Sequence, residues 1–169
     1  IVASYSPAHC FEAAIEAARI ALKYRTPVIL LSDGYLANGS EPWKIPDLAS
    51  LPDIAVPFQT EFNGTDADGN PVYLPYLRDP DTLARPWAIP GTPGLMHRVG
   101  GIEKQDKTGN INYTPANHQL MVDLRQAKID RIAADYGPTE VQGDADADIC
   151  ILGWGSTWAA IHAAVQRQR

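Results

Sequence analysis

Cysteine is scarce in this chain of 169 residues, which contains only Cys10 and Cys150. Each is isolated from any other cysteine or histidine at metal-binding spacing. A zinc knuckle and an iron–sulfur cluster both need several closely spaced ligands, so neither can be built from this chain alone. Any cluster that the protein uses is therefore expected on a partner.

The sequence also lacks clustered basic residues and long apolar runs. Its 14 Lys and Arg against 20 Asp and Glu give a formal net charge of −6. Because strong nucleic-acid binding needs a patch of Lys and Arg, no nucleic-acid partner is expected. No run approaches the roughly 20 apolar residues of a membrane-spanning helix, and residues 1–4 do not resemble a signal peptide. We therefore expect no membrane partner and a cytoplasmic location.

The chain has no initiating methionine, and Arg169 falls inside a predicted helix. We therefore expect a segment of a longer polypeptide. Catalytic residues that are missing from this segment are then only weak evidence against an enzyme. The composition itself, with 45% hydrophobic and 20% charged residues, is typical of a globular domain.

A helix followed by a buried strand is predicted near the start of the chain. Apolar residues recur at helical spacing from about Pro7 to Tyr24, on a stripe that includes Phe11 and Ala14, and Ser6-Pro7 supplies an N-cap and a first-turn proline. The apolar run at residues 27–31 is typical of a strand covered on both faces. This order predicts an α/β fold with a doubly wound, mainly parallel sheet.

Polar residues stand where this predicted strand ends. Ligands of open α/β sheets gather beyond the carboxyl ends of the strands. Ser32, Asp33 and Asn38 are therefore the candidate residues for the edge of a substrate pocket. A capped turn at a subunit contact is the alternative for the same residues.

Proline is dense between residues 36 and 101, which predicts a long loop with short extended pieces. A loop of this length is usually functional or interfacial. Asp66-Ala67-Asp68-Gly69-Asn70 has the start of a calcium loop, but Leu77 occupies the position of the bidentate Glu, so we predict a turn.

A second helix is predicted from Thr114-Pro115 to about Tyr136, with an apolar stripe that includes Leu120 and Met121. Residues 137–147 are small and acidic and are interpreted as a linker. A buried strand at 148–153 and a helix at 157–167 follow. The predicted domains are thus residues 1–136 and 148–169.

Two further motifs fit both a functional and a structural role. Gly153-Trp154-Gly155-Ser156-Thr157 suits an anion-binding or a purely structural turn, with Ser156 or Thr157 as helix cap, and Trp158 departs from the dinucleotide fingerprint. Ser32-Asp33-Gly34 followed by Asn63 only partly matches the magnesium motif of thiamine enzymes, and Asn63-Gly64 fits a turn.

Some of the histidines and the basic loop residues could have either a functional or a structural role. His9 and His162 are most simply structural. His97 and His118 could exchange protons, bind a carboxylate or pack. Basic residues beside or within the glycine-rich segment, residues 100–118, could meet an anion or merely aid solubility. These residues are Arg98, Lys104 and Lys107.

Three segments in order carry a resemblance to a known family. They are residues 27–38, the segment Gly101-Ile102-Glu103-Lys104 with Gly109, Pro115, Asn117-His118, Arg125 and Lys128, and residues 148–156. Together they resemble the α subunit of 2-oxoacid:ferredoxin oxidoreductases, especially those acting on 2-oxoglutarate. Lys104 stands where that family often has His.

The resemblance implies the end of a pyrimidine-type, thiamine-diphosphate-binding domain over residues 1–136 and the start of a transketolase C-terminal-like domain at 148–169. It implies oxidative decarboxylation of a 2-oxoacid, with coenzyme A as co-substrate and ferredoxin as electron acceptor. A partner β subunit in a heterotetramer would carry Mg²⁺, the diphosphate site and a [4Fe–4S] cluster. The family's catalytic motifs lie upstream of Ile1, so no catalytic residue is assigned here.

The expected function is therefore that of an α-subunit segment of a 2-oxoglutarate:ferredoxin oxidoreductase that yields succinyl-CoA and CO₂. Two alternatives stay open. The substrate could be pyruvate or another 2-oxoacid, or the chain could be a non-catalytic assembly module.

Overall fold

The computed structural model describes residues 1–144 and 146–169. Helices and short strands alternate along the chain, which confirms the predicted α/β class. The elements are β1 (Val2–Ala3), α1 (His9–Tyr24), β2 (Leu30–Leu31), α2 (Gly34–Asn38), a 3-10 turn at Leu48–Ser50, β3 (Gly64–Thr65), β4 (Pro71–Val72), α3 (Pro115–Ala134) and α4 (Thr157–Gln168).

The chain divides into two compact units. Unit 1 comprises Ile1–Leu22, Pro27–Ile54 and Pro138–Arg169, and unit 2 comprises Lys23–Thr26 and Ala55–Gly137. The predicted boundary between residues 1–136 and 148–169 stays a prediction. Within the predicted linker 137–147, Ala145 lies outside the described residues.

Unit 1 is built around two parallel strands. β1 and β2 pair with Val2 opposite Leu30 and Ala3 opposite Leu31. The Ser4 amide extends the ladder by donating to the Leu31 carbonyl over 3.3 Å. Parallel strands need a crossover connection, which α1 provides. This arrangement confirms the prediction of a helix that delivers the chain into a parallel strand.

Helix α1 confirms the predicted element but buries a different face. Its buried residues are Ala13, Ala17, Ile20 and Tyr24, at helical spacing. Ala14, which we expected on the buried stripe, is exposed. The reason is that this alanine-rich helix has apolar residues on more than one face, so periodicity alone does not select the face that packs.

The apolar run at 27–31 is less buried than predicted. Ile29 is 57% exposed, and Leu30 and Leu31 are about two-fifths exposed. Within the described residues β2 pairs with β1 alone. The expectation of a strand covered on both faces is therefore wrong for this chain, because burial depends on the layers that pack on a strand and not on its own composition.

The strand predicted at 148–153 is also wrong. These residues form no strand, and Ile149 and Leu152 are 79% and 95% exposed. A strand requires a neighbour to accept and donate its backbone hydrogen bonds, and no described segment pairs with this one. The helix predicted after this segment is confirmed as α4. Gly155, two residues before the start of α4, adopts a φ of +61°.

Unit 2 contains a small antiparallel hairpin within the proline-rich loop. β3 pairs with β4, and Asp66 accepts hydrogen bonds from the amides of Asp68 and Asn70, both over 2.9 Å. The predicted turn at 66–70 is thus confirmed. Most of residues 36–101 is irregular, as predicted, with α2, the 3-10 turn and this hairpin as the exceptions.

Helix α3 begins at Pro115, as the Thr114-Pro115 pair predicts. Its buried residues are Asn117, Met121 and Lys128, whereas Leu120 is 44% exposed. The predicted apolar stripe is therefore wrong at Leu120, because two polar side chains take part in the packed face. Among the described residues, no helix has the length and apolar character to cross a membrane.

Candidate functional site

Asp33 lies at the carboxyl end of β2, where the sequence places a pocket edge. Its carboxylate caps α2 by accepting a hydrogen bond from the Leu36 amide over 3.0 Å. Asp33 also accepts a hydrogen bond from the Ser156 hydroxyl. The Ser156 bond, and after it the Leu36 bond, holds the pKa of the Asp33 carboxyl below its ordinary value. The Asp33 carboxylate therefore stays ionised and has a structural role.

The contact between Asp33 and Ser156 joins two turns that are distant in sequence. A Cβ on Gly155 would lie 3.6 Å from the Ser4 carbonyl oxygen and 3.9 Å from the Ala3 Cβ. The Gly155 turn therefore packs directly on the end of β1, while Ser156 contacts the turn that follows β2. Both strand ends of the parallel pair meet the start of α4 at this place.

Helix α4 is not capped as predicted. Ser156 occupies the N-cap position without a side-chain capping bond, because its hydroxyl is used by Asp33. The Thr157 hydroxyl instead donates to the Trp154 carbonyl over 2.7 Å and accepts from the Trp154 amide over 3.1 Å. The motif therefore serves as a structural turn.

A surface groove of about 580 Å³ lies beside α2. Gly34, Tyr35 and Asn38 line it together with Glu41. The Asn38 amide donates to the Gly34 carbonyl over 2.7 Å, and the Glu41 carboxylate accepts from the Ala8 amide over 2.9 Å. That bond lowers the pKa of the Glu41 carboxyl. Of the three predicted pocket-edge residues, Asn38 lines this groove, whereas Ser32 and Asp33 do not.

An aromatic stack in unit 1 was not found from the sequence. The Tyr5 ring stacks on His9 at a centroid distance of 3.9 Å and meets Trp158 at 5.3 Å. Trp158 stacks in turn on His162 at 5.0 Å. Burial lowers the pKa of His9, and Glu12 partly opposes this shift. The structural interpretation of His9 and His162 is confirmed by these contacts, which sequence spacing could not reveal.

The glycine-rich segment of unit 2 is organised by two buried polar side chains. Lys104 is 7% exposed, and its ammonium group donates to the carbonyl groups of Arg98 and Gly100. Asn117 donates to the Lys104 carbonyl over 2.9 Å and accepts from the Asp106 amide over 3.2 Å. These bonds tie the segment to the first turn of α3.

His118 forms an ion pair within the same segment. Its Nδ1 lies 2.5 Å from Oε2 of Glu103, and Arg125 Nη1 lies 3.7 Å from Oε1. The His118 bond is the main cause of the lowered pKa of Glu103, with Arg125 contributing less. His97 differs, since its Nδ1 lies 2.9 Å from the Leu95 carbonyl oxygen and its ring meets Tyr73 edge-on. His118 therefore pairs with Glu103, whereas His97 packs against Tyr73.

The two residues of the partial magnesium motif, Asp33 and Asn63, are both engaged in other hydrogen bonds. Asn63 uses both ends of its amide on Leu74, donating to its carbonyl over 3.0 Å and accepting from its amide over 2.6 Å. Asp33 is occupied by its cap and by Ser156. No group of three or more His, Cys, Asp or Glu in residues 1–144 and 146–169 could hold a metal ion. The partial magnesium motif is therefore structural.

The family model for pyruvate flavodoxin/ferredoxin oxidoreductase, thiamine diphosphate-binding, matches residues 1–114. The chain belongs to the pyruvate flavodoxin/ferredoxin oxidoreductase family. The matched range contains β1, α1, β2 and residues 100–114 of the glycine-rich segment, so the resemblance noted in the sequence is confirmed.

Two curated relatives match the chain over its whole length. The 2-oxoglutarate oxidoreductase subunit KorA of Mycobacterium tuberculosis is 52% identical over 170 residues, which is 24% of that protein. Subunit alpha of 2-oxoacid:ferredoxin oxidoreductase 1 of Aeropyrum pernix is 28% identical over 172 residues, 25% of its length. The chain thus spans about a quarter of these members of the pyruvate flavodoxin/ferredoxin oxidoreductase family.

A solved structure from the same family has a similar fold. The match is to the 2-oxoglutarate:ferredoxin oxidoreductase of Magnetococcus marinus with 2-oxoglutarate, coenzyme A and succinyl-CoA bound. It covers 98% of this chain and 27% of the chain in the solved structure. The TM-score is 0.78 at 32% sequence identity. The α/β, thiamine-diphosphate-binding fold class of the pyruvate flavodoxin/ferredoxin oxidoreductase family therefore applies to this chain.

Proposed function

We propose that this chain is a segment of the α subunit of a 2-oxoglutarate:ferredoxin oxidoreductase, an enzyme that converts 2-oxoglutarate and coenzyme A into succinyl-CoA and CO₂ and reduces ferredoxin. The observation that carries the proposal is the match, over the whole chain, to a 2-oxoglutarate oxidoreductase subunit at 52% identity. The similarity to a structure that holds 2-oxoglutarate and coenzyme A supports it further.

The proposal includes a division of labour between subunits. Among the described residues, no group of three or more His, Cys, Asp or Glu could hold Mg²⁺, and Cys10 and Cys150 are too few for a [4Fe–4S] cluster within this chain. As the family resemblance implies, we place the diphosphate, Mg²⁺ and the cluster on a β subunit, within a cytoplasmic heterotetramer that delivers electrons to ferredoxin. This chain would then shape and enclose the shared cleft.

Within that cleft, we assign Ser32, Asp33 and Asn38 to the edge of the substrate pocket. Their position beyond a parallel strand supports the assignment, since ligands of open α/β sheets bind there. Asp33 would act as a positioning residue, because its carboxylate already binds Leu36 and Ser156. Asn38 lines the groove beside α2.

The test is an assay of the intact enzyme with its β subunit. Reduction of a low-potential dye should require both coenzyme A and 2-oxoglutarate, and pyruvate and branched-chain 2-oxoacids should react at least tenfold more slowly. A preference for pyruvate would change the substrate assignment. An absence of turnover with every acid, in a preparation shown to contain thiamine diphosphate and the cluster, would favour the assembly module.

The pocket-edge assignment needs its own variant. In the same assay, Ser32→Ala should raise KM for the 2-oxoacid while kcat changes less, because an edge residue contacts the substrate and not the reacting atoms. Thr60→Ala, which removes another exposed hydroxyl, is the matched control and should leave KM unchanged. Equal kinetics for the two variants would remove Ser32 from the pocket.

A further inference from the structure

Unit 2 contains a group of basic side chains that are not neutralised by acidic neighbours. Burial, followed by repulsion from Arg78, Arg85 and Arg25, lowers the pKa of Lys128 to about 8. The four cations are therefore close enough to influence one another. Among the described residues, none of the four forms an ion pair within 4 Å, unlike Arg19, Lys23 and Arg125. Positive charge is thus concentrated in a partly desolvated place.

Comparison of two lysines shows what Lys128 lacks. Lys104 and Lys128 are both 7% exposed. Lys104 donates hydrogen bonds to two backbone carbonyl groups. Lys128 has no hydrogen-bond or ion-pair partner among residues 1–144 and 146–169. Because a buried cation is unfavourable unless it is paired, the burial of Lys128 without a partner favours an external acceptor.

Arg78 has a similar deficiency. Its Nη1 donates to the Leu83 carbonyl over 3.2 Å, but its buried Nε has no hydrogen-bond partner. Burial and the nearby Arg85 lower the pKa of Arg78, while Asp106 opposes the shift only at a distance. Asp79, the next residue in the sequence, is occupied, since its carboxylate accepts from the Thr82 amide over 2.7 Å and from the Thr82 hydroxyl over 2.8 Å.

The surrounding contacts hold these cations in place. The Arg85 guanidinium group lies over the Tyr76 ring at 4.3 Å, and Arg25 lies over Trp87 at 5.0 Å. Arg25 also donates to the carbonyl groups of Pro57, over 2.8 Å, and Arg85. A preorganised set of cations loses little side-chain entropy when it binds an anion.

We propose that Lys128, Arg78 and Arg85 form a binding site for a phosphate-type oxyanion. A phosphate group carries up to two negative charges and presents several acceptor oxygens, which suits a lysine point charge combined with arginine N–H donors. A single carboxylate offers less charge and would leave more of the cluster uncompensated. A bound phosphate supplies the acceptor that Arg78 Nε lacks and offsets the positive charge of Lys128.

The phosphate has two possible sources, which share one chemistry. It is either free orthophosphate or a phosphate group of coenzyme A. The site itself does not depend on the proposed function, whereas the coenzyme A source does. A phosphate site that binds orthophosphate in a protein without coenzyme A-dependent turnover would therefore leave this inference standing and remove only the proposed function.

The experiment measures orthophosphate binding to the intact protein by calorimetry and by the shift in melting temperature, at constant ionic strength set with sodium chloride. Lys128→Met keeps the volume of the side chain and removes its charge, and Arg85→Gln removes a second charge. Lys44→Gln, on an exposed lysine of unit 1, is the control. Each variant of the site should weaken phosphate binding at least tenfold, whereas the control should match the wild type.

A second readout separates binding from folding. Without phosphate, Lys128→Met should melt no lower than the wild type, because it removes a repelled buried cation; with phosphate, it should lose the stabilisation that the wild type gains. Competition by coenzyme A, but not by dephospho-coenzyme A, would assign the site to its 3′-phosphate. Competition by neither would assign it to free phosphate. Equal binding by all variants, or no binding by the wild type, would overturn the site.

Discussion

Two buried polar side chains hold the glycine-rich segment of unit 2 in place. Lys104 and Asn117 are 7% and 9% exposed and hold the glycine-rich segment through backbone carbonyl groups. A buried donor that keeps its acceptors adds to stability, and its removal leaves those acceptors unpaired. The position at which the family resemblance implies a His is thus filled here by a lysine with a structural role.

Replacement of Lys104 by methionine should therefore destabilise the protein. Lys104→Met removes the donor to the Arg98 and Gly100 carbonyl groups at similar volume. We expect a loss of about 1–3 kcal/mol in the free energy of unfolding, measured by chemical denaturation. Lys107→Met, the same change at an exposed lysine of the same segment, should be nearly neutral. Equal effects of the two changes would contradict the structural role of Lys104.

The Glu103–His118 pair predicts a dependence of stability on acid. His118, and less strongly Arg125, lowers the pKa of Glu103 from its ordinary value of 4.5. A group with a lowered pKa in the folded state stabilises the protein above its ordinary pKa, and that contribution is lost as the pH falls through the folded pKa. Glu103→Gln should hence lower the melting temperature at pH 6 to a similar extent as at pH 5.

Melting curves between pH 7 and pH 3 test this dependence. The difference between the wild type and Glu103→Gln should shrink as the pH falls below about 4.5, where the wild type itself loses the ion pair. Glu61→Gln, at an exposed glutamate, should show no such trend. A difference that stays constant down to pH 3 would show that the pair does not stabilise the folded state.

At the scale of the elements, the starts of the helices depend on small polar groups. The Ser6 hydroxyl accepts a hydrogen bond from the His9 amide over 3.2 Å at the start of α1. Thr114 stands before α3 without a side-chain capping bond, since its hydroxyl donates to Asn112 over 2.8 Å. The two similar motifs of the sequence, Ser6-Pro7 and Thr114-Pro115, thus work differently in the structure.

The cap of α1 gives a prediction at this scale. Ser6→Ala should reduce the free energy of unfolding by about 0.5–2 kcal/mol, because the His9 amide loses its acceptor. Ser6→Thr keeps the hydroxyl and should recover most of the stability. Chemical denaturation of both variants measures the difference, and equal losses would show that the hydroxyl does not cap the helix.

At the scale of the whole molecule, the chain forms two compact units. Ser6 belongs to unit 1 and Lys104 to unit 2, and the two side chains share no hydrogen-bond partner. The effects of Ser6→Ala and Lys104→Met on the free energy of unfolding should therefore add to within about 0.5 kcal/mol in the double variant.

A coupled pair serves as the reference for this test. Asp33→Asn and Ser156→Ala remove opposite ends of one hydrogen bond, so their double variant should lose clearly less stability than the sum of the single variants. Denaturation of the wild type and the six variants measures both cycles. A large coupling between Ser6 and Lys104 would show that the units do not behave independently.

The sequence alone determined the α/β class, the helices α1, α3 and α4, the turn at Asp66–Asn70 and the family, because these depend on local periodicity, on capping residues and on the order of short motifs. It did not determine which helix faces are buried or whether apolar runs form strands. Residues 148–153 have a strand-like composition but find no partner strand among the described residues.

Only the tertiary structure decided which polar residues come together. The contact between Asp33 and Ser156 joins residues 123 positions apart, and no spacing rule predicts it. Lys128 on α3 is likewise buried, where Arg78 and Arg85 of the proline-rich segment influence its charge, and the sequence pattern did not predict this. Local patterns record the conformation of each segment, whereas burial, pairing and electrostatic environment depend on the segments that pack around it.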